Sequence, residues 1–373
     1  MENSFAVRSY FPFMMVAESH VRFVGVGGIV MKVTIIGAGN TAAAAACHML
    51  SKGLDVTVYA RNIEKAALWK KTAIEAKGRI SGTFRIPVTP DIKEAVSGAD
   101  VLVFATLANQ HRAAAEDVMP YLEKGQVLLV LNGCWGALQM GRVLGDKWEK
   151  LALTIGETAN MPYIASLAPD WKTVTVKGLK EAVSFAAAGP GKEKIRELLE
   201  LLGFSVREEP SLAVTSLGST NPIIHVAASL FNVTRIDNGE DFLFFGAPMT
   251  EKTVAVMEKM DAERLAVGRA LGCALPSLLD GLNSFWPEKW PTLYEALTKN
   301  ASYKVSKGPT SLSYRYLSED LPCGLEAVAD LGKLLGVPVP ATETVIRAAS
   351  LYLGKPVVPF LQREDLKLLR TLG

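Results

Sequence analysis

Cysteine and histidine are both scarce in this chain, and the way the few are spread argues against several protein classes at once. The four cysteines, Cys47, Cys134, Cys273 and Cys323, contain no C-x-x-C pair. Neither a disulfide framework nor a zinc framework fits that spacing, and reduced thiols in a cytoplasmic protein are expected. With only His20, His48, His111 and His225, a histidine-rich metal site is not expected, and no metal is assigned. Net charge is small as well: 40 Lys+Arg against 38 Asp+Glu leave +2. That balance argues against nucleic acid or an anionic membrane as a partner. No apolar run reaches the ~18 residues that a membrane span needs. What is present is 49% hydrophobic residues in a chain of 373, enough for a substantial core and about two domains.

The stretch Lys32 to Arg61, KVTIIGAGNTAAAAACHMLSKGLDVTVYAR, organises the first of them. A short β-branched strand runs into Gly37-Ala38-Gly39, an alanine-rich helix begins at Asn40 or Thr41, and Val56 to Tyr59 forms a second strand. This is G-x-G-x-x-A inside a βαβ unit of about 30 residues, the dinucleotide-binding arrangement. Gly37 allows the sharp turn, Gly39 lets a pyrophosphate approach the backbone, and Ala42 lets the helix lie close on the strand. The free N–H groups and positive dipole end of the helix then meet the phosphates. Residues 1–30 do not fit this domain and make a poor secretory signal, so a disordered extension or an upstream start choice is expected there, with a transit peptide as the lesser alternative.

Further along, Asp100 to Thr106 and Gln126 to Leu131 read as central parallel strands, and Leu153 to Glu157 as another. Lys172 to Lys177 and Glu181 to Ala187, joined across Gly178, read as an added hairpin. From Leu212 the strand pattern stops and helices take over, the clearest running from Thr250 to Leu271. The expected division is therefore residues 31–215 as a doubly wound α/β domain of the Rossmann type, and residues 216–373 as a mostly helical substrate domain.

In such sheets the ligand lies beyond the carboxyl ends of the strands. That brings Leu107 to His111, including Ala108, then Asn132 to Gly136, and Glu157 to Tyr163 around one crevice. His111 touches cofactor or substrate, or else is a polar residue opening a helix. His48 reads as a packing or surface residue. Arg61 stands where NAD-binding proteins present a carboxylate to the ribose. An arginine there suits a 2′-phosphate, hence NADP(H), with NAD(H) left open and an ordinary surface arginine as the alternative. Two more constellations stand out. Asn221-Pro222-Ile223-Ile224-His225 opens the helical half, as cleft lining or as a core histidine. Ser313-Tyr314-Arg315-Tyr316-Leu317-Ser318-Glu319-Asp320-Leu321-Pro322 is either functional or a solvated loop.

Taken together, these residues resemble the octopine/nopaline (opine) dehydrogenase family from Met31 to near the C-terminus. The likeness is carried by GAGNTA, by ETANMPY from Glu157, by NPIIH, by DAERLAVGRALG from Asp261 and by RYLSEDLP from Arg315. The resemblance implies a helical domain of the 6-phosphogluconate dehydrogenase C-terminal type. It implies NAD(P)H-dependent coupling of an amino acid's amine to a 2-oxo acid, with reduction of the imine. His225 then matches the catalytic histidine, Asp320 its carboxylate partner, and Arg315 the arginine that holds the substrate carboxylate. Glu157, Asn221 and His111 fall to substrate binding, and Gly37, Ala38, Gly39, Asn40, Thr41, Arg61, Ala108 and Asn132 to cofactor binding. Helical domains of this kind commonly pair, which makes a homodimer the assembly to consider.

The chemistry suits those residue types. Imine or ketone reduction delivers hydride to carbon while a proton is exchanged at the adjacent heteroatom, a task for an imidazole near neutral pH. A carboxylate on the far ring nitrogen fixes the tautomer, and an arginine grips a carboxylate through two parallel bonds. The chain departs from the family at Leu107-Ala108, where Pro-Ala is common, and at Ile164-Ala165-Ser166, where an arginine is common. Both positions border the substrate pocket. Two other functions compete: a 2-oxo acid reductase of the ketopantoate reductase type, and a non-catalytic nucleotide-binding protein. The former typically uses a lysine near the start of its helical domain, and Ser219 to His225 contains none.

Overall fold

The computed structural model describes residues 31–372 apart from 287, 302 and 357. The extension expected at residues 1–30 lies outside the described residues. Twelve strands are present among them: β1 (Lys32–Ile36), β2 (Asp55–Tyr59), β3 (Ile74–Gly78), β4 (Gly82–Phe84), β5 (Val88–Thr89) and β6 (Val101–Phe104), then β7 (Val127–Val130), β8 (Thr154–Thr158), β9 (Tyr163–Leu167), β10 (Thr173–Leu179), β11 (Ala182–Ala188) and β12 (Ser205–Glu208).

The main sheet has eight strands in the order β12-β11-β8-β7-β6-β1-β2-β5, parallel from β5 through β8. Strand order therefore runs one way from β1 through β2 to β5, and the other way from β6 onward. This is a doubly wound Rossmann sheet, and its switch point lies between β1 and β6. The apolar runs of β6 and β7 are buried along their whole length, as strands covered by helices on both faces must be. Helix Asn40–Ser51 lies close on this sheet because Ala42 to Ala46 are all fully buried and bring no bulk between backbone and sheet.

The expected hairpin of residues 172–177 and 181–187 does not form. β10 lies in a separate four-stranded sheet of order β4-β3-β10-β9, whereas β11 joins the main sheet antiparallel to β8. Burial explains the parting. In β10 the buried residues Val174 and Val176 alternate with more exposed ones, the pattern of a strand with one covered face. In β11 Phe185 to Ala188 are buried without a break, which suits a strand inside a large sheet. The small sheet flanks the alanine helix, and the Leu167 N–H of β9 donates to Asn40 Oδ1 at 3.1 Å.

After β12 the described chain is helical. Its longest helix, Glu251–Ala270, starts where the Thr250 hydroxyl accepts from the Thr253 N–H and ends before Gly272 at φ 77°. The DAERLAVGRALG stretch, residues 261–272, forms the C-terminal half of this helix and its end. Arg264, 2% exposed, pairs with Asp261 at 2.6 Å and donates to the carbonyls of Leu217 and Pro276. That buried pair secures the entrance of the helical half and is structural.

Candidate active site

The cofactor cradle is built at the carboxyl end of β1. Gly37 has φ +114°, and a Cβ there would lie 3.0 Å from the Ala105 carbonyl oxygen, so the approach of this turn to the end of β6 requires glycine. A Cβ on Gly39 would meet nothing within 4 Å, so the glycine leaves open space in front of the helix start. The helix has no side-chain cap at Gly39 and no acidic residue in its first turn. Its first N–H groups and positive dipole end are therefore available to an anion, and the residues fit a dinucleotide pyrophosphate. Ala38 and Thr41 border this space partly exposed, while the side chain of Asn40 is engaged by β9. Lys65, which carried no motif signal, donates to the Ala38 carbonyl at 3.0 Å and lies 4.7 Å over the Trp171 ring. Burial lowers its pKa. Arg61 follows β2 exposed and makes no ion pair among the described residues.

The residues expected to be catalytic meet in the helical half. Pro222 starts helix Asn221–Leu230, and Asn221 and His225 share a face one helical turn apart. His225 Nδ1 lies 2.8 Å from Asp320 Oδ2, with the aspartate side chain 3% exposed and that of the histidine 12%. The Tyr316 ring stacks on the imidazole at 3.9 Å between centroids and 25° between planes. A carboxylate at Nδ1 selects the tautomer with hydrogen there and leaves Nε2 as the ring nitrogen for proton exchange. Asp320 opens a π-helical turn, Leu321–Leu325, whose Gly324 is another position sequence reading missed. A Cβ on Gly324 would lie 2.3 Å from Pro222 Cβ, so only glycine lets this turn pack on the start of the histidine helix. Arg315 is partly exposed on the same segment, its Nε 3.4 Å from Glu319 Oε2.

Four of the expected site residues are placed in the interior. Glu157, expected to bind substrate, is fully buried at the end of β8. Its carboxylate accepts from Thr215 Oγ1 at 2.7 Å, from Ser216 Oγ and from the Ala137 N–H at 3.0 Å. Burial raises its pKa against those donors. It braces the turn after β7, where Asn132, Cys134 and Trp135 all hold left-handed backbones with φ of 63°, 44° and 65°. Asn132 itself, expected at the cofactor, is 8% exposed and donates its N–H to Thr158 Oγ1 at 2.9 Å. His111 is also buried, at 1% exposed, and neither ring nitrogen makes a hydrogen bond of ordinary geometry. Burial holds its pKa down at about 4, opposed weakly by the Thr106 backbone. It does not line the crevice, because its ring fills the space beside Gly136 and Val130. Ala108, expected at the cofactor, is interior too, packed with Cys134 and Cys323, and its N–H is taken by Glu319 Oε1 at 2.9 Å. All four cysteines are free thiols.

An open glycine turn at a helix start, a sheet switch point and a largely buried histidine–aspartate pair are the parts of an NAD(P)-dependent dehydrogenase. Comparison with known proteins agrees. The profile of the NAD/NADP octopine/nopaline dehydrogenase alpha-helical domain matches residues 208–353, and that of ketopantoate reductase PanE/ApbA matches residues 33–160. The opine dehydrogenase of Arthrobacter sp. (strain 1C) is 29% identical over 318 residues, covering 84% of this chain and 88% of its own. Octopine dehydrogenase solved with NADH and agmatine has the same fold, with a TM-score of 0.75 at 20% identity over 88% of this chain and 91% of its own. Yersinopine dehydrogenase with NADP+ bound aligns at a TM-score of 0.71 and 15% identity, over 87% and 91%. Residues 208–353 thus carry the octopine/nopaline dehydrogenase alpha-helical domain, and the chain is similar to opine dehydrogenases over most of its length, whereas ketopantoate reductase is a distant relation.

Proposed function

We propose that this dehydrogenase condenses the amine of an amino acid with a 2-oxo acid, losing water, and reduces the resulting imine to a secondary amine. The observation that carries the site assignment is the His225–Asp320 pair at 2.8 Å, on the segment that also bears Arg315. Bound NAD(P)H supplies the hydride. Arg315 grips the 2-oxo acid carboxylate and fixes the reacting carbon, which removes orientational freedom before the chemical step. Asn221, on the histidine's face, borders the same substrate. His225 exchanges the proton through Nε2, while Asp320 holds the ring and stabilises the imidazolium. Tyr316 covers one face of that ring and keeps water from it.

Arg61, with Lys65 one turn further on, supports a preference for NADP(H) through the 2′-phosphate. The free thiols support a cytoplasmic location, and Leu351 and Tyr352, exposed on helix Pro340–Leu353, support pairing into a homodimer. The deciding experiment follows NADPH consumption with pyruvate alone, with each of a panel of amino acids alone, and with both. Amine-dependent consumption with a secondary-amine product by mass spectrometry is expected. Reduction of the 2-oxo acid to a hydroxy acid without amine would instead indicate chemistry of the ketopantoate reductase type.

A further inference from the structure

We propose that Glu319 is a positioning residue of the reaction: one oxygen of its carboxylate tethers the cofactor-domain turn after β6, and the other sets the orientation of Arg315. The second half rests on the role given to Arg315 above. Oε1 accepts from the Ala108 N–H at 2.9 Å across 211 residues of sequence, and Oε2 lies 3.4 Å from Arg315 Nε. Beside this contact, Asn109 Nδ2 donates to the Ser318 carbonyl at 3.3 Å. The next residue, Asp320, holds His225. One short segment therefore carries the substrate arginine, the link to the cofactor domain and the partner of the catalytic histidine.

Two features separate this arrangement from a surface ion pair. The Glu319 side chain is only 5% exposed against 39% for Arg315, so the carboxylate is the more deeply buried partner, and the Arg315 Nε that faces it is buried too. Burial raises the glutamate's pKa, and Arg315 and the Ala108 N–H pull it back. The contact also falls on Nε. The attraction is that of an ion pair without a hydrogen bond of ordinary geometry, and a guanidinium drawn by that edge keeps its two terminal nitrogens for a carboxylate arriving from the crevice. Through Ala108 the same group ties down the turn after β6, so one side chain links the cofactor-bearing domain to the substrate arginine, with the Asn109–Ser318 contact beside it.

Glu319→Gln separates the two roles, because an amide oxygen still accepts from Ala108 but no longer balances Arg315. In that variant the KM for pyruvate, with the best amine found, is expected to rise about 10-fold, as for loss of a largely buried opposite charge beside Arg315. The KM for NADPH should hold, and amide hydrogen exchange across residues 105–111 should stay at the wild-type level. Glu319→Ala should add faster exchange in that segment and a lower kcat. A wild-type KM for pyruvate in Glu319→Gln, or wild-type exchange across 105–111 in Glu319→Ala, would overturn the proposal. If the wild type turned over no amine and 2-oxo acid pair, the condensation reading would fall, and the exchange comparison would still support or overturn the tether.

Discussion

Replacing Asp320 with Asn keeps the shape of the residue and removes the charge facing His225. The contact is 2.8 Å long and the carboxylate only 3% exposed, so water and salt screen it little. A hydrogen bond to a charged group is worth about 1.5–3 kcal/mol. If the imidazolium it stabilises forms only as the proton is exchanged, that loss appears in the barrier as roughly 10- to 150-fold in rate. A second loss adds to it in the same variant, because the new amide presents its NH₂ to Nδ1 and selects the tautomer with hydrogen on Nε2. We therefore expect kcat to fall about 100-fold, at the upper end of that range. The assay is NADPH consumption at saturating amine and 2-oxo acid, beside NADPH affinity by fluorescence titration. Affinity should be unchanged, since Asp320 is committed to His225 in the helical half. A kcat equal to wild type, or a fall in kcat matched by an equal fall in NADPH affinity, would refute the reasoning.

Other expectations follow from the same geometry. Arg61→Ala should weaken NADPH by roughly 10- to 150-fold, the worth of one charge-assisted bond, and leave NADH nearly untouched; equal effects on both in fluorescence titrations would remove Arg61 from the phosphate. Gly133→Ala would place a Cβ 2.6 Å from Glu157 Oε1. Because three donors hold that carboxylate, we expect a stability loss of about 1–3 kcal/mol in urea denaturation, and no loss would mean that the turn can yield. His48 and His111 are both buried, with pKa values lowered to about 4 from the ordinary 6.5. The unfolded chain binds more protons between those values, so their contribution to stability is complete above about pH 6.5 and is lost progressively toward pH 4. His111→Leu should flatten the fall in Tm between pH 7 and pH 5, and an unchanged slope would show that His111 does not supply it.

Much of this protein is written in local sequence. The glycine turn, the buried runs of β6 and β7 and the capped helix from Glu251 follow from backbone freedom, from strands with no solvent face and from side-chain capping, all of which act between near neighbours. The resemblance carried by NPIIH and RYLSEDLP also paired His225 with Asp320, and the two do lie 2.8 Å apart although 95 residues separate them. Glu319 was within reach as well, since its spacing from Arg315 is that of an i,i+4 pair on one helical face. Tertiary structure alone decided which polar residues face the crevice. Glu157, His111 and Ala108 stand at strand ends, where a ligand usually lies, but Thr215 and Ser216 cover Glu157, while the turn at Gly136 and the helical half close over His111 and Ala108. Strand partners were decided in the same way. β10 and β11 follow each other closely in the chain, yet they belong to different sheets because one had a single face to bury and the other had two. Sequence states how apolar a residue is, but whether its second face meets solvent or another layer depends on segments that arrive from elsewhere in the chain.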